Sequence, residues 1–346
     1  MTVTTRESGA RPALRVEIDR VSPSVAALQP EQWSRLVGDA SDVMRQNRGY
    51  LLSYASAFSN EQLVASAWNG DELAGIGVAI VMVRPNGERL FTISFSGVFG
   101  TRLARSFWVT DEREREPVVA FLLRELVEYA RARDFGRAVI SYCPVGDTAL
   151  ARTAEELGFR GGTVLDDFAV RLDRPQTFDE FLARQERTER RAFRRDLRRA
   201  SEAGARIVVE DIARPETLAR AWPLVTALWD RKNAGFISTD ETLFDAMQRY
   251  MLPEDLSLDA CYLGDELVGV VLYHRAGTTV RLAYAGHRID LEWKVYMALL
   301  ASAVAREVER GSTFLHLGFT NDVQKKRLGA TAYPHVHYVA RLDHDI

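Results

Sequence analysis

The chain repeats its own order of elements, and that repeat constrains the fold more than any single motif. In the first half, apolar residues 63–68 meet Asn69-Gly70-Asp71-Glu72-Leu73 and resume over 74–80. In the second half, residues 258–263 meet Gly264-Asp265-Glu266-Leu267 and resume over 268–273. Both read as strand, tight turn, strand, because Gly and Asp tolerate the positive φ that hairpin turns need. Each half continues with a strand (90–96; 279–287), a long amphipathic helix (116–133; 291–310) and a short apolar strand (138–142; 314–317). A short helix and a Leu-Gly pair follow, Leu157-Gly158 and Leu328-Gly329, before a closing alternating strand at 164–172 and 335–342. Matched order over so many elements points to a duplication.

A chain of 346 residues fits two such domains. The expected division is a disordered tail at 1–15, a first domain at 16–174 and a second at 175–346. Composition is that of a globular protein, 47% hydrophobic and 27% charged. No apolar run reaches the roughly 18 residues of a membrane span, and the polar start is unlike a secretory signal. Cys143 and Cys261 lie in different halves, too few for a disulfide framework or a metal site. A cytoplasmic location is expected. A net charge of −3 excludes a wholly basic nucleic-acid coat, so any such contact is local.

Hairpin, strand, long helix, strand, helix, strand resembles the Gcn5-related N-acetyltransferase (GNAT) fold in both halves. Ala154-Glu155-Glu156-Leu157-Gly158-Phe159 is similar to the helix end and Leu-Gly-Phe turn near the close of that fold. The resemblance implies an α/β chain with tandem GNAT-like domains, mixed and mostly antiparallel sheets flanked by helices. It also implies an acyl-CoA donor, whose pyrophosphate that fold holds on a Gly-rich loop opening the long helix. Here the corresponding stretches are Thr110-Asp111-Glu112-Arg113-Glu114-Arg115-Glu116 and Arg288-Ile289-Asp290-Leu291-Glu292-Trp293, without glycine and rich in carboxylates. Negative charge there disfavours pyrophosphate. Acyl-CoA, or a carrier-protein thioester, is therefore the alternative donor, and no bound cofactor is expected.

The stretch joining the halves carries eight arginines between 184 and 199 against Glu186, Glu189 and Asp196. Arg187, Arg190, Arg191, Arg194, Arg195 and Arg198 follow helical spacing and share one face, while Phe193 and Leu197 fall on another. Arginine presents a planar fork suited to phosphate, so Arg191, Arg194, Arg195 and Arg198 are candidate phosphate ligands. The plain alternative is a solvated charged face.

The run 190–200, followed by Glu202-Ala203-Gly204-Ala205, is similar to the basic helix of the FemABX peptidyltransferase family. Trp229-Asp230-Arg231-Lys232-Asn233-Ala234-Gly235-Phe236, Tyr284-Ala285-Gly286-His287, Phe314-Leu315-His316-Leu317-Gly318 and Gln324-Lys325-Lys326-Arg327-Leu328-Gly329 fit further segments of that family. The resemblance implies transfer of an amino acid from aminoacyl-tRNA to an amine of a peptidoglycan precursor or specialised metabolite. It places Lys325 where the family's lysine steadies the developing oxyanion, a role in which an ammonium favours the transition state over the ground-state carbonyl. Only four lysines accompany 41 arginines, and two of them sit together here. Lys326 is a second candidate, and Gln324 stands where the family has an aromatic. Lys232 and Phe236 in a Gly-containing turn, and Tyr284 at a strand end, are candidate lining residues. No Ser-His-Asp or Cys-His pattern appears, so direct transfer is expected, with Asp290 and Glu292 considered as bases. A tandem fold without catalysis, serving as an RNA- or partner-binding module, stands as the reading from another class.

Overall fold

The structure is a computed structural model and describes residues 14–20, 49, 52–53, 56–57, 61–83, 87–93, 107–172, 177–212, 214–231, 241–318 and 322–342. The chain divides into two compact units. One comprises Met1–Leu165 with Pro334–Ile346, and the other Asp166–Tyr333.

In the first unit the strands are β1 (Arg15–Arg20), β2 (Gln62–Asn69), β3 (Glu72–Val83), β4 (Arg89–Ile93), β5 (Phe107–Val109) and β6 (Arg137–Pro144). Helix α1 (Arg115–Arg131) lies between β5 and β6, and α2 (Thr148–Glu156) follows β6. The hairpin reads as its sequence requires, with Asn69 opposite Glu72 across the Gly70-Asp71 turn. Helix α1 buries Val118, Val119, Leu122, Leu123, Leu126, Val127 and Ala130, a stripe of period 3.6. Each buried Val or Leu contributes about 2 kcal/mol. Asp147 caps α2 through the Leu150 amide and also accepts from Arg115 at 2.6 Å, tying the two helix starts together.

The second unit begins within β7 (Arg160–Arg171) and continues through α3 (Phe178–Arg184), α4 (Arg187–Glu202), β8 (Ala205–Glu210), α5 (Pro215–Arg231) and α6 (Glu241–Tyr250). Then come β9 (Leu256–Leu263), β10 (Glu266–Ala276), β11 (Thr279–His287), α7 (Val295–Glu309), β12 (Phe314–Gly318) and α8 (Asp322–Lys326). The second hairpin matches the first, Leu263 facing Glu266 across Gly264-Asp265.

Two glycines define the two faces of this sheet. A Cβ on Gly286 would lie 2.3 Å from the backbone of Leu224 and Val225, so α5 packs with its main chain against β11. A Cβ on Gly269, the partner of His287, would lie 2.3 Å from Val295, so α7 closes on the opposite face. On that face Arg306 donates to Asp259 and Glu307, while Arg275 and Ser312 both donate to Glu307, pinning α7 to β9 and β10. Glu307 is fully buried and its charge is matched by these donors.

The closing strands are exchanged. The first unit's sheet runs β1-β2-β3-β4-β6-β13, where β13 (Thr331–Arg341) comes from the end of the chain, and β5 pairs with β3. The second unit's runs β7-β12-β11-β10-β9-β8, with β7 supplied from the first half. Contiguous domains at 16–174 and 175–346 are therefore not the units that pack. The two closing strands alternate in the same way, so their sequences carry no mark of which sheet each joins. The expected tail at 1–15 and residues 232–240 lie mostly or wholly outside the described residues.

Candidate functional site

In the second unit the strands part at a definite rung. The parallel pair β11–β12 is bonded only over Thr279–Arg281 and Phe314–His316. Beyond it β11 stays with β10 as far as His287, and β12 stays with β7 as far as Gly318. A β-bulge sits at the parting. Leu272 faces Tyr284 and Tyr273 faces Leu282, so Ala283 is the extra residue on β11. A bulge bends its strand and interrupts the ladder locally. On the other side Gly318 takes φ +80, the left-handed conformation that glycine adopts without strain, and the β12–β7 register shifts between His316 and Gly318.

Helix α8 places Lys325 at this opening. Its side chain is 1% exposed, and Nζ donates to the Gly318 carbonyl at 2.7 Å. Nζ also lies 5.8 Å from the Phe168 ring centre on β7, and the exposed Lys326 brings its own Nζ to 5.6 Å from the same ring. Leu315 and Leu317 enter the core with α7, so the alternating His316 points to the other face of the sheet. There its Nδ1 lies 3.1 Å from Oδ2 of Asp167, both side chains being buried.

The arginines of α4 come together as their spacing predicts. Phe193 and Ala200 are buried with α7, and Leu197 packs at the edge of that cluster. Arg191, Arg194, Arg195 and Arg198 are exposed. Three of them have carboxylates nearby, Arg194 with Asp179 at 3.9 Å, Arg195 with Asp196 at 3.5 Å and Arg198 with Glu202 at 3.4 Å.

Other expectations meet different surroundings. Tyr284 is buried on the α5 side of the sheet, with its ring 5.6 Å from that of Phe244 in α6. Lys232 and Phe236 lie outside the described residues. The start of α7 is less negative than its sequence implies, because Arg288 binds both Asp290 (3.0 Å) and Glu266 (2.5 Å). That hydrogen bonding holds the Asp290 carboxyl down at about 2, which makes it a poor proton acceptor. Sequence reasoning missed Asp167 and His316. The only signal is a lone histidine inside the apolar strand β12 and a pair of aspartates, Asp166 and Asp167, in the middle of β7.

Residues 187–327, most of the second unit, match the acetyltransferase (GNAT) domain family. No curated protein sequence matches the chain. Solved structures with a similar fold include FemX, 15% identical, covering 92% of this chain and 96% of that one with a TM-score of 0.61. A tandem GNAT protein from the clavulanic acid biosynthesis pathway is 12% identical, covers 96% and 100%, and scores 0.57. L-PGS from Bacillus licheniformis is 11% identical, covers 90% and 91%, and also scores 0.57. Likeness at such identities establishes the fold. The chain has the tandem GNAT architecture expected from its repeat, mixed sheets flanked by helices. Among the described residues no helix is long and apolar enough to cross a membrane.

Proposed function

We propose that the protein is an acyltransferase of the FemX-like kind, moving an amino acid from aminoacyl-tRNA to the amine of a peptidoglycan precursor or specialised metabolite. The observation that carries this reading is Lys325, a buried ammonium held on Gly318 where β11 and β12 part. Attack of an amine on the aminoacyl ester makes a tetrahedral oxyanion. A fixed cation in a water-poor opening stabilises that charge more than it stabilises the ester carbonyl, and it needs no reorganisation as the charge develops. The amine loses its proton, the C–N bond forms, and the ribose oxygen leaves and is protonated. The products are an amide and free tRNA.

The exposed arginines of α4 support the same donor, since they form a surface charge suited to phosphates and lie in the same unit. A thioester donor is the second reading. The pairing of Arg288 with Asp290 and Glu266 favours it, because it removes part of the negative charge that would repel a pyrophosphate at α7. Calorimetry with acetyl-CoA separates the two. Micromolar or tighter binding contradicts the tRNA-dependent reading, and no detectable binding supports it.

A further inference from the structure

We propose that His316 and Asp167 are the proton-accepting pair of the transfer, with His316 taking the proton of the attacking amine and Asp167 positioning its ring. The inference rests on acyl transfer at the β11–β12 opening, but not on which donor supplies the acyl group.

The argument starts from the last bonded rung. His316 stands opposite Arg281 there, at the point beyond which β11 and β12 separate. Two residues further along the same strand, Gly318 holds Lys325. Strand alternation sends the His316 side chain to the face that carries α5, whereas Lys325 stands over Phe168, whose ring belongs to the core on the α7 face. An oxyanion stabiliser and a titratable imidazole therefore flank the gap from opposite sides of the sheet. The nucleophile and the developing oxyanion occupy different directions around the carbonyl carbon, so a base and an oxyanion stabiliser need not share a face.

Burial adds to the case. Asp167 is 0% exposed and His316 1%, so the pair is shielded from bulk water. Only Oδ2 of Asp167 meets the imidazole, and Oδ1 is buried without a hydrogen-bond partner. An unsatisfied buried carboxylate oxygen is costly and calls for an explanation beyond holding two strands together, which the β7–β12 ladder already does. A carboxylate on Nδ1 fixes the tautomer with the proton there and leaves Nε2 as the acceptor. Along the same rung stand Arg281, opposite His316, and His274, which faces Arg281 from β10, while Asp166 adjoins Asp167 in β7.

The step balances. Nε2 accepts one proton as the amine nitrogen bonds to the acyl carbon. The imidazolium then returns that proton to the departing oxygen or sulfur as its bond to carbon breaks.

The test compares wild type with His316→Gln and Asp167→Asn, using a charged-tRNA pool and two classes of acceptor. One is an ordinary alkylamine, and the other a weakly basic amine such as a hydrazine. Folding is checked by thermal unfolding. His316→Gln is expected to lower the alkylamine rate 10²- to 10⁴-fold and to lose one limb of the pH–rate profile. The loss should shrink at least tenfold with the weakly basic amine, and donor KM should stay unchanged. Asp167→Asn should show a smaller loss of the same pattern. Equal losses with both amines, or a folded His316→Gln at full rate, would overturn the proposal. If neither variant folds, ¹⁵N shifts of the wild-type imidazole decide, with neutral His316 expected to carry its proton on Nδ1 and an Nε2–H form contradicting the pair. Transfer from acetyl-CoA but not from tRNA would sink the donor assignment alone, and the same comparison would then be run with acetyl-CoA. No transfer from either donor overturns both.

Discussion

Tyr142 and Gly318 stand at corresponding places in the two units, and both hold the left-handed backbone, at φ +59 and +80. Each lies four residues beyond the first rung of its parallel pair, Ala138 opposite Phe91 and Phe314 opposite Thr279. The bend is therefore a property of the duplicated architecture rather than of glycine. Tyrosine adopts it at a cost of about 1–2 kcal/mol, offset in part by its ring, which meets His337 edge-on at 4.7 Å. In the second unit the residue has no side chain, and its carbonyl takes the Lys325 ammonium.

Gly318→Ala should accordingly cost about 1–2 kcal/mol, measured by denaturant unfolding. A Cβ there would sit 3.8 Å from Nζ of Lys325, an ordinary contact, so the penalty is that of the backbone. A loss well above 3 kcal/mol would mean that the site tolerates no added atom.

The arginine face of α4 should matter for binding and little for folding. Exposed ion pairs such as Arg194–Asp179 contribute well under about 1 kcal/mol. Replacing Arg191, Arg194 and Arg195 by Gln is expected to leave the unfolding free energy within about 1 kcal/mol. Under the proposed function it should also lower the slope of log affinity for tRNA against log salt by about 2–3. An unchanged slope would return these residues to a solvated face.

Burial pushes the Asp259 carboxyl up to about 6 from 3.8, and it prevails over the opposing pull of Arg306. Oδ2 of Asp259 has no hydrogen-bond partner, which agrees with that direction. Between those values the native state binds the proton more tightly than the unfolded chain. The group's contribution to stability therefore falls as pH rises from about 4 to about 6 and is level above that. Asp259→Asn should flatten this part of the stability profile, followed by thermal unfolding across the range.

The parts legible in the sequence are those governed by neighbouring residues. The hairpins at Gly70-Asp71 and Gly264-Asp265, the helices α1 and α7, and the one-sided arginines of α4 all follow from local pattern. What stayed hidden depends on partners far along the chain. Asp167 and His316 are 149 residues apart, and neither has its partner anywhere near it in the sequence until β7 and β12 pair. The exchange of β7 and β13 is silent for the same reason, since two alternating strands of similar length fit either sheet. Tyr284 shows the converse. Its place before the long helix resembles a substrate position, but the bulge at Ala283 and the approach of α5 and α6 bury it in the core.

The most direct test of the central claim is label transfer from a total charged-tRNA pool to small amines, with and without RNase, by wild type and Lys325→Met. The account predicts amide formation that RNase abolishes and that falls at least 100-fold in the variant. Transfer that survives RNase, or a folded variant with undiminished rate, would contradict it.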